Sequence, residues 1–185
     1  MKIIDIKQGT PEWNEFRRKH IGASDSPAIA GVSPWKTIEE LWAEKVFDIR
    51  MPVTGAMQRG IDLEPHAREY FIQQTGIEVF PLVAEDEKYP FLSASYDGIS
   101  LDHKTILEIK CPSSIKGVDR YPEIYIPQFQ KQMYIAGVQE LYYLSYFVCK
   151  KVVTSNLFKV QREQEYIDKM IDKEVKFWET IKDLL

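Results

Sequence analysis

With 185 residues, 44% of them apolar, the chain suits one domain with a sizeable core, and no apolar run approaches the ~20 residues of a membrane-crossing helix. A net charge of −4 argues against a broadly basic nucleic-acid binder, yet a nuclease with carboxylates at a metal site and basic residues on one face can be acidic overall. Met1–Lys7 lacks the long apolar core of a signal peptide, so a cytoplasmic protein is expected. Cys111 and Cys149 read as buried free thiols, and no cysteine–histidine spacing suggests zinc.

In chain order, Thr10-Pro11 pairs an N-cap with a proline at the first helical position and predicts a short helix to about residue 19. Arg17-Arg-Lys-His20 is the densest basic cluster. The turn-rich Gly22-Ala-Ser-Asp25-Ser-Pro27 opens a short helix that ends near Gly31. Thr37-Ile-Glu-Glu40 is a capping box for a helix to about Phe47. From Gly55 to about Thr75 the periodicity is helical, with Gly60, Leu63, Ala67 and Phe71 near one face and Glu64 directed inward. Pro65 either kinks this helix or starts a new one. Glu64 itself reads equally well as a helix-start anion favoured by the dipole or as a site carboxylate.

Strand-like runs follow near 78–84, 91–97 and 104–111, then a helical segment at about 123–137 carrying Gln128, Gln130 and Gln132. Two more strands are predicted at 141–148 and 156–160, and an amphipathic helix over about 163–185, with Glu174 among its apolar positions. Helices before, within and after a small sheet indicate a mixed α/β (α+β) domain.

The densest chemistry lies in Asp97, Glu108 and Lys110. A turn-like gap separates the aspartate from a Glu-x-Lys set in the next apolar run, and residues two apart on a strand share a face. Glu108 and Lys110 therefore point one way with Ile106, and Thr105, Leu107, Ile109 and Cys111 the other. Unpaired buried charge is costly, so two carboxylates and an ammonium in one place fit a divalent metal beside a phosphate better than a core. Mg²⁺ prefers oxygen ligands and is usually held by one or two carboxylates plus substrate phosphate, which points to phosphodiester hydrolysis. On its own, Glu-x-Lys is more often an exposed pair on a strand.

Six segments in order resemble the YqaJ-type viral recombinase family, the lambda-exonuclease type within the PD-(D/E)XK nuclease superfamily. They are Trp13-x-x-x-Arg17, Ile21-Gly-Ala-Ser24, Gly60-x-x-x-Glu64-x-x-Ala-Arg68, Ser95-Tyr-Asp97-Gly98, Leu107-Glu-Ile-Lys110-Cys-Pro112 and Tyr125-x-x-Gln128-x-Gln130. The resemblance implies a restriction-endonuclease-like core with a small mixed central sheet flanked by helices. It divides the chain into an N-terminal helical part (1–55), a catalytic core (56–162) and a C-terminal helix (163–185). It also implies that Asp97, Glu108 and the Ile109 main-chain carbonyl hold Mg²⁺, or Mn²⁺, with Glu64 beside them. Lys110 and Gln128 would serve the attacking water and the scissile phosphate, and Arg17, Ser24 and Ser95 would bind a 5′-phosphate.

The implied activity is a Mg²⁺-dependent 5′→3′ exonuclease on double-stranded DNA ends, encoded by a phage or prophage. It would release 5′-mononucleotides and leave 3′ tails for a single-strand annealing recombinase. The family implies a toroidal homotrimer. An endonuclease or nickase of the same fold and a catalytically silent DNA-binding or assembly module are the rival readings. Two departures stand out: the usual proline before the aspartate is Tyr96, and the chain, shorter than the lambda type, has a tighter loop between Asp97 and Glu108.

Overall fold

The computed structural model describes residues 1–49, 52–119 and 121–185. Among these, seven strands form one sheet: β1 (Lys2–Ile4), β2 (Ile21–Gly22), β3 (Phe80–Glu85), β4 (Leu92–Ile99), β5 (Ile106–Lys110), β6 (Glu140–Cys149) and β7 (Val152–Gln161). The order is β1-β3-β4-β5-β6-β7, with the two residues of β2 running parallel to the start of β4. Only β5–β6 and β2–β4 are parallel; the other neighbours are antiparallel, giving the mixed sheet that the family resemblance implies. The helices are α1 (Pro11–Arg18), α2 (Ser26–Ile29), α3 (Ile38–Phe47), α4 (Gly55–Thr75), α5 (Ile126–Ala136) and α6 (Gln164–Glu179).

Local chemistry explains the helix boundaries. The Thr10 hydroxyl accepts from the Trp13 N–H at the start of α1 (3.3 Å). At α3 the capping box closes in both directions: Glu40 N–H donates to Thr37 Oγ1 (3.2 Å) and Thr37 N–H to Glu40 Oε2 (2.9 Å). Thr54 caps α4, and Gly76 ends it in the left-handed conformation (φ 72°), its N–H donating to the Ile72 carbonyl (2.7 Å). Pro65 does not start a new helix; α4 runs through it as one element. The sheet also contains β1 and β2, too short for periodicity to register, and β6 and β7 extend into a longer hairpin than predicted. The last helix ends earlier than predicted, at Glu179.

Three apolar clusters surround the sheet. Tyr96, Ile106, Phe129, Met133 and Tyr143 fill the space between one face and α5. Ala67, Phe71, Leu107, Ile109 and Leu144 pack α4 on the other. Ile21, Leu41, Leu92, Ile167 and Phe177 join the N-terminal helices to α6. Along β5 the alternation holds, with Ile106 in the α5 cluster and Leu107 and Ile109 in the α4 cluster. Glu108 and Lys110 therefore share the α5 side with Ile106. Of the two thiols, Cys111 is half-buried and Cys149 is exposed at the end of β6 beside the hairpin turn, so the expectation that both are buried is corrected. No described helix is long and apolar enough to cross a membrane.

Polar groups are buried at the junction of α2, α5 and α6. Lys131 of α5, fully buried, faces the Glu174 carboxylate of α6 at 2.9 Å and donates to the Ile21 carbonyl (2.7 Å). Ser26 donates to the other Glu174 oxygen (2.6 Å). Burial pushes the Glu174 carboxyl up and the Lys131 ammonium down, and the opposite charge of each partner resists both shifts. Removing one partner strands the other in a low-dielectric interior. Glu174→Ala should cost about 3–5 kcal/mol, read from chemical denaturation, whereas Glu174→Leu combined with Lys131→Met should cost far less.

Candidate active site

β4 and β5 pair Ile99 with Ile106 and Gly98 with Leu107, and the ladder stops there. The next residues on the two strands are Asp97 and Glu108. Gly98 keeps the strands close: a Cβ there would meet Val79 Cγ2 at 2.9 Å and Leu107 Cβ at 3.2 Å. Beyond the ladder, the Ile109 N–H turns to a side chain and donates to Asp97 Oδ2 (2.7 Å). Tyr96, which replaces the usual proline, is fully buried, and its hydroxyl donates to the Gln132 carbonyl of α5 (3.2 Å).

Glu108 is 1% exposed and its carboxylate is held on both oxygens. Gln128 Nε2 (2.7 Å) and the Lys110 ammonium reach Oε1, and Gln132 Nε2 reaches Oε2 (2.6 Å). Gln132 also approaches the Ser95 carbonyl (3.4 Å), while its own Oε1 is buried without a partner. On the α4 side, Glu64 is ion-paired with Arg68 one turn later, and Arg68 Nε donates to the Asp97 carbonyl.

The charges do not balance. Burial, then Glu108 and Glu64, push the Asp97 carboxyl well above its ordinary range, against Lys110 and the Ile109 N–H. Burial and Glu108 likewise raise Glu64, against Arg68 and Lys110. Burial works against the Lys110 ammonium, but Glu108 and Asp97 outweigh it and hold its pKa above the usual lysine value. A hard divalent cation would relieve this shortage of positive charge, and the donors are carboxylate oxygens of the required kind. Among the described residues no three acids gather tightly enough to form a complete cation cage. Mg²⁺ needs none, because it keeps waters and takes substrate oxygens. Asp97 and Glu108 fit it best, with Glu64 adjacent.

A second cluster lies along β4. Ser95 and Asp97 are two residues apart on that strand, a separation of ~7 Å, and the pairing with β3 shifts register between Tyr96 and Ile99, around Asp97. Trp13 Nε1 donates to Ser95 Oγ (3.0 Å), the Arg17 guanidinium lies over the Trp13 ring (4.7 Å), and Arg17 Nη2 donates to Ser24 Oγ (3.2 Å). Arg17, Ser24 and Ser95 are thus assembled around one indole. The rest of the basic cluster turns elsewhere: Arg18 and Lys19 pair with Glu15, and His20 stacks on Phe16. Behind the pocket, buried Asp25 accepts from Lys45 Nζ (2.8 Å) and the Gly22 N–H (2.9 Å) and lies 3.9 Å from Arg17. Lys45 also donates to the Arg17 carbonyl (2.7 Å). Two cations facing one carboxylate leave one positive charge over, which suits an incoming anion.

The structure therefore brings every predicted site side chain into one of two adjoining clusters. Sequence reasoning assigned no role to Gln132, Arg68, Trp13 or Asp25. The first two were accessible through spacing, since Gln132 follows Gln128 and Arg68 follows Glu64 by four residues on a helix. Gln130, part of the six-segment resemblance, faces away from the site: it donates to the Gln161 carbonyl (2.8 Å) and accepts from the Glu163 N–H (2.9 Å), tying α5 to the β7–α6 junction.

The sequence model of the YqaJ-like viral recombinase domain matches residues 12–139, a span holding both clusters. The chain is 31% identical over 180 residues to the uncharacterized protein YqaJ of Bacillus subtilis (strain 168), covering 90% of this chain but 54% of that protein; it spans about half the length of this curated relative. Among solved structures, the alkaline exonuclease LHK-Exo of Laribacter hongkongensis superposes with a TM-score of 0.79 at 26% identity, over 94% of this chain and 93% of that one. Its complex with dAMP gives 0.80, with the same identity and coverage. A phage-related exonuclease of Haemophilus somnus shares the fold at 15% identity, with a TM-score of 0.68 over 93% of this chain and 97% of that one.

Burial alone would raise the Asp25 carboxyl, but Lys45 and then Arg17 hold it far below its ordinary value. Its stabilising contribution is therefore complete above the unfolded pKa of ~3.9 and is lost as pH falls through the lower folded value. Asp25→Asn should be less stable than wild type at pH 7, and the gap in denaturation midpoint should close progressively below pH ~4.

Proposed function

This chain belongs to the YqaJ-like viral recombinase domain family, and from that premise we propose that it is a metal-dependent nuclease degrading one strand of double-stranded DNA from its 5′ end. The observation that carries the reading is the juxtaposition of an anion pocket with an acid cluster: Ser95 of the first and Asp97 of the second stand two residues apart on one strand. An arginine fork and two hydroxyls suit a terminal phosphate, which carries more charge than an internal diester. With its end anchored there, a strand would present a nearby phosphodiester to Asp97, Glu108 and Lys110. The relative LHK-Exo has been seen with dAMP, a 5′-mononucleotide, and we assign the same class of product to this chain.

In this reading Asp97 and Glu108 hold Mg²⁺ (or Mn²⁺), together with the Ile109 carbonyl, and Glu64 stands beside them. The ion, when bound, supplies activation of a water and stabilisation of the leaving oxygen. Lys110 neutralises charge growing on the phosphoryl oxygens. Gln128 and Gln132 hold the Glu108 carboxylate in one orientation, so it need not reorganise as the reaction proceeds. A water oxygen bonds to phosphorus in line as the bond to the 3′-oxygen breaks, and that oxygen leaves with a proton. Successive cycles release 5′-mononucleotides and leave a 3′ single-stranded tail, the substrate of a single-strand annealing recombinase.

Linear duplexes with a 5′-phosphate or a 5′-hydroxyl, and a closed circle, test this in Mg²⁺ and in EDTA. The phosphorylated linear strand should disappear only with metal, the circle should survive, and Lys110→Ala should slow the reaction about 10²- to 10³-fold. Cutting of the circle would make the protein an endonuclease, and binding without any cleavage would leave an inactive module. Arg17→Ala should lower the preference for phosphorylated over hydroxyl ends by roughly 10-fold while sparing most activity on hydroxyl ends, because a charge-assisted contact is lost only where the phosphate exists.

A further inference from the structure

Trp35 is the one tryptophan of four that is mostly exposed, at 67%; the other three are half-buried. An indole left in water forgoes the burial that normally holds a tryptophan in place. Here the backbone holds it instead. The Val32 and Ser33 N–H groups both donate to the Pro27 carbonyl (3.0 and 3.1 Å), Ser33 Oγ accepts from the Trp35 and Lys36 N–H groups (3.3 and 3.2 Å), and the α3 capping box begins at Thr37. The ring stacks on Tyr125 with centroids 6.0 Å apart and planes at 22°. Tyr125 is anchored below by Phe129 and Tyr143, and the Lys110 ammonium lies 5.1 Å from its ring centroid.

Two aromatic rings therefore lead outward from Lys110 to an open indole face. We propose that this face is a base-stacking platform that receives an unpaired nucleobase of the strand being degraded. The inference rests on the nuclease reading above. The ring-to-ring and ring-to-ammonium separations place the indole within ~11 Å of Lys110, at most about three nucleotide steps if the ~3.4 Å axial rise of the duplex is the least advance per step. A base is the fitting occupant because every base has a π-face, so stacking tolerates any sequence, as an enzyme consuming arbitrary DNA requires. A preset ring also costs little entropy to use. Stacking there would hold the end of the strand open after the terminal pairs part.

The test measures binding in EDTA, where no cleavage occurs under the reading, to a 5′-phosphorylated duplex with a short frayed end. Abasic sites are placed one at a time through its first few nucleotides. Wild type should lose roughly 5- to 100-fold in affinity at one position, or two adjacent ones, and 2-aminopurine there should be quenched on binding. Trp35→Ala should bind the intact end more weakly by a similar factor and be indifferent to the abasic position. Trp35→Phe should keep most of the affinity and the positional response, with both variants melting as wild type does. Equal affinity of Trp35→Ala and wild type, or loss of affinity from the same abasic position in both, overturns the platform alone. Failure of the wild type to bind DNA ends would overturn the nuclease reading, and the platform with it.

Discussion

The burial of a single carboxylate, that of Glu108, organises the centre of the molecule. An ionised group taken this far from water is tolerable only when its oxygens are met by donors. Neither β5 nor its neighbouring strands supply enough of them; α5 supplies two amides, one helical turn apart, and Lys110 supplies the charge. The position of α5 against the sheet is thus set by polar need as well as by the apolar contacts of Phe129 and Met133. Tyr96 reinforces the same seating from β4.

Elsewhere the molecule settles its buried charge locally. Lys131 and Glu174 neutralise each other, and Asp25 is matched by Lys45 and approached by Arg17. Around Asp97 and Glu64 the compensation is incomplete, because three carboxyls, Glu64, Asp97 and Glu108, face two cations, Lys110 and Arg68. The contrast between neighbouring regions of one fold marks the acid cluster more clearly than its residue types do. A stabilising network closes on itself, whereas the cation site proposed above would stay short of positive charge until its ion binds.

The convergence of Asp97 with Glu108 was legible because a hairpin and a two-residue period suffice to predict it, and the helix starts were legible because threonine caps and a capping box are local. Gln132 was not, since hydrophobic periodicity does not distinguish a glutamine turned into the interior from one turned to water. α5 is buried nearly all round, with Gln128, Gln130, Lys131 and Gln132 all enclosed. Cys149 departs from expectation for a related reason: an apolar strand predicts a buried thiol, but the end of β6 protrudes into a hairpin turn. β2 escaped notice because two residues carry no period. The pairing of Arg17 with Ser24, and of Trp13 with Ser95, joins segments that only the completed fold brings together.

The polar residues enclosed on α5 also bear on how this fold can change over time. Gln128 and Gln132 serve Glu108, Lys131 serves Glu174, and Gln130 serves the β7–α6 junction, so consecutive positions are committed to partners on different sides of the helix. A residue inserted or deleted within α5 would rotate everything beyond it by about 100° and unseat several partners at once. The turn between β4 and β5 is held by its own hydrogen bonds among Ser100, Asp102, Lys104 and Thr105, and no side-chain hydrogen bond ties it to a distant element among the described residues. Lineages descending from this chain should therefore vary in length at that hairpin and keep α5 at constant length, with its residues exchanged one for one.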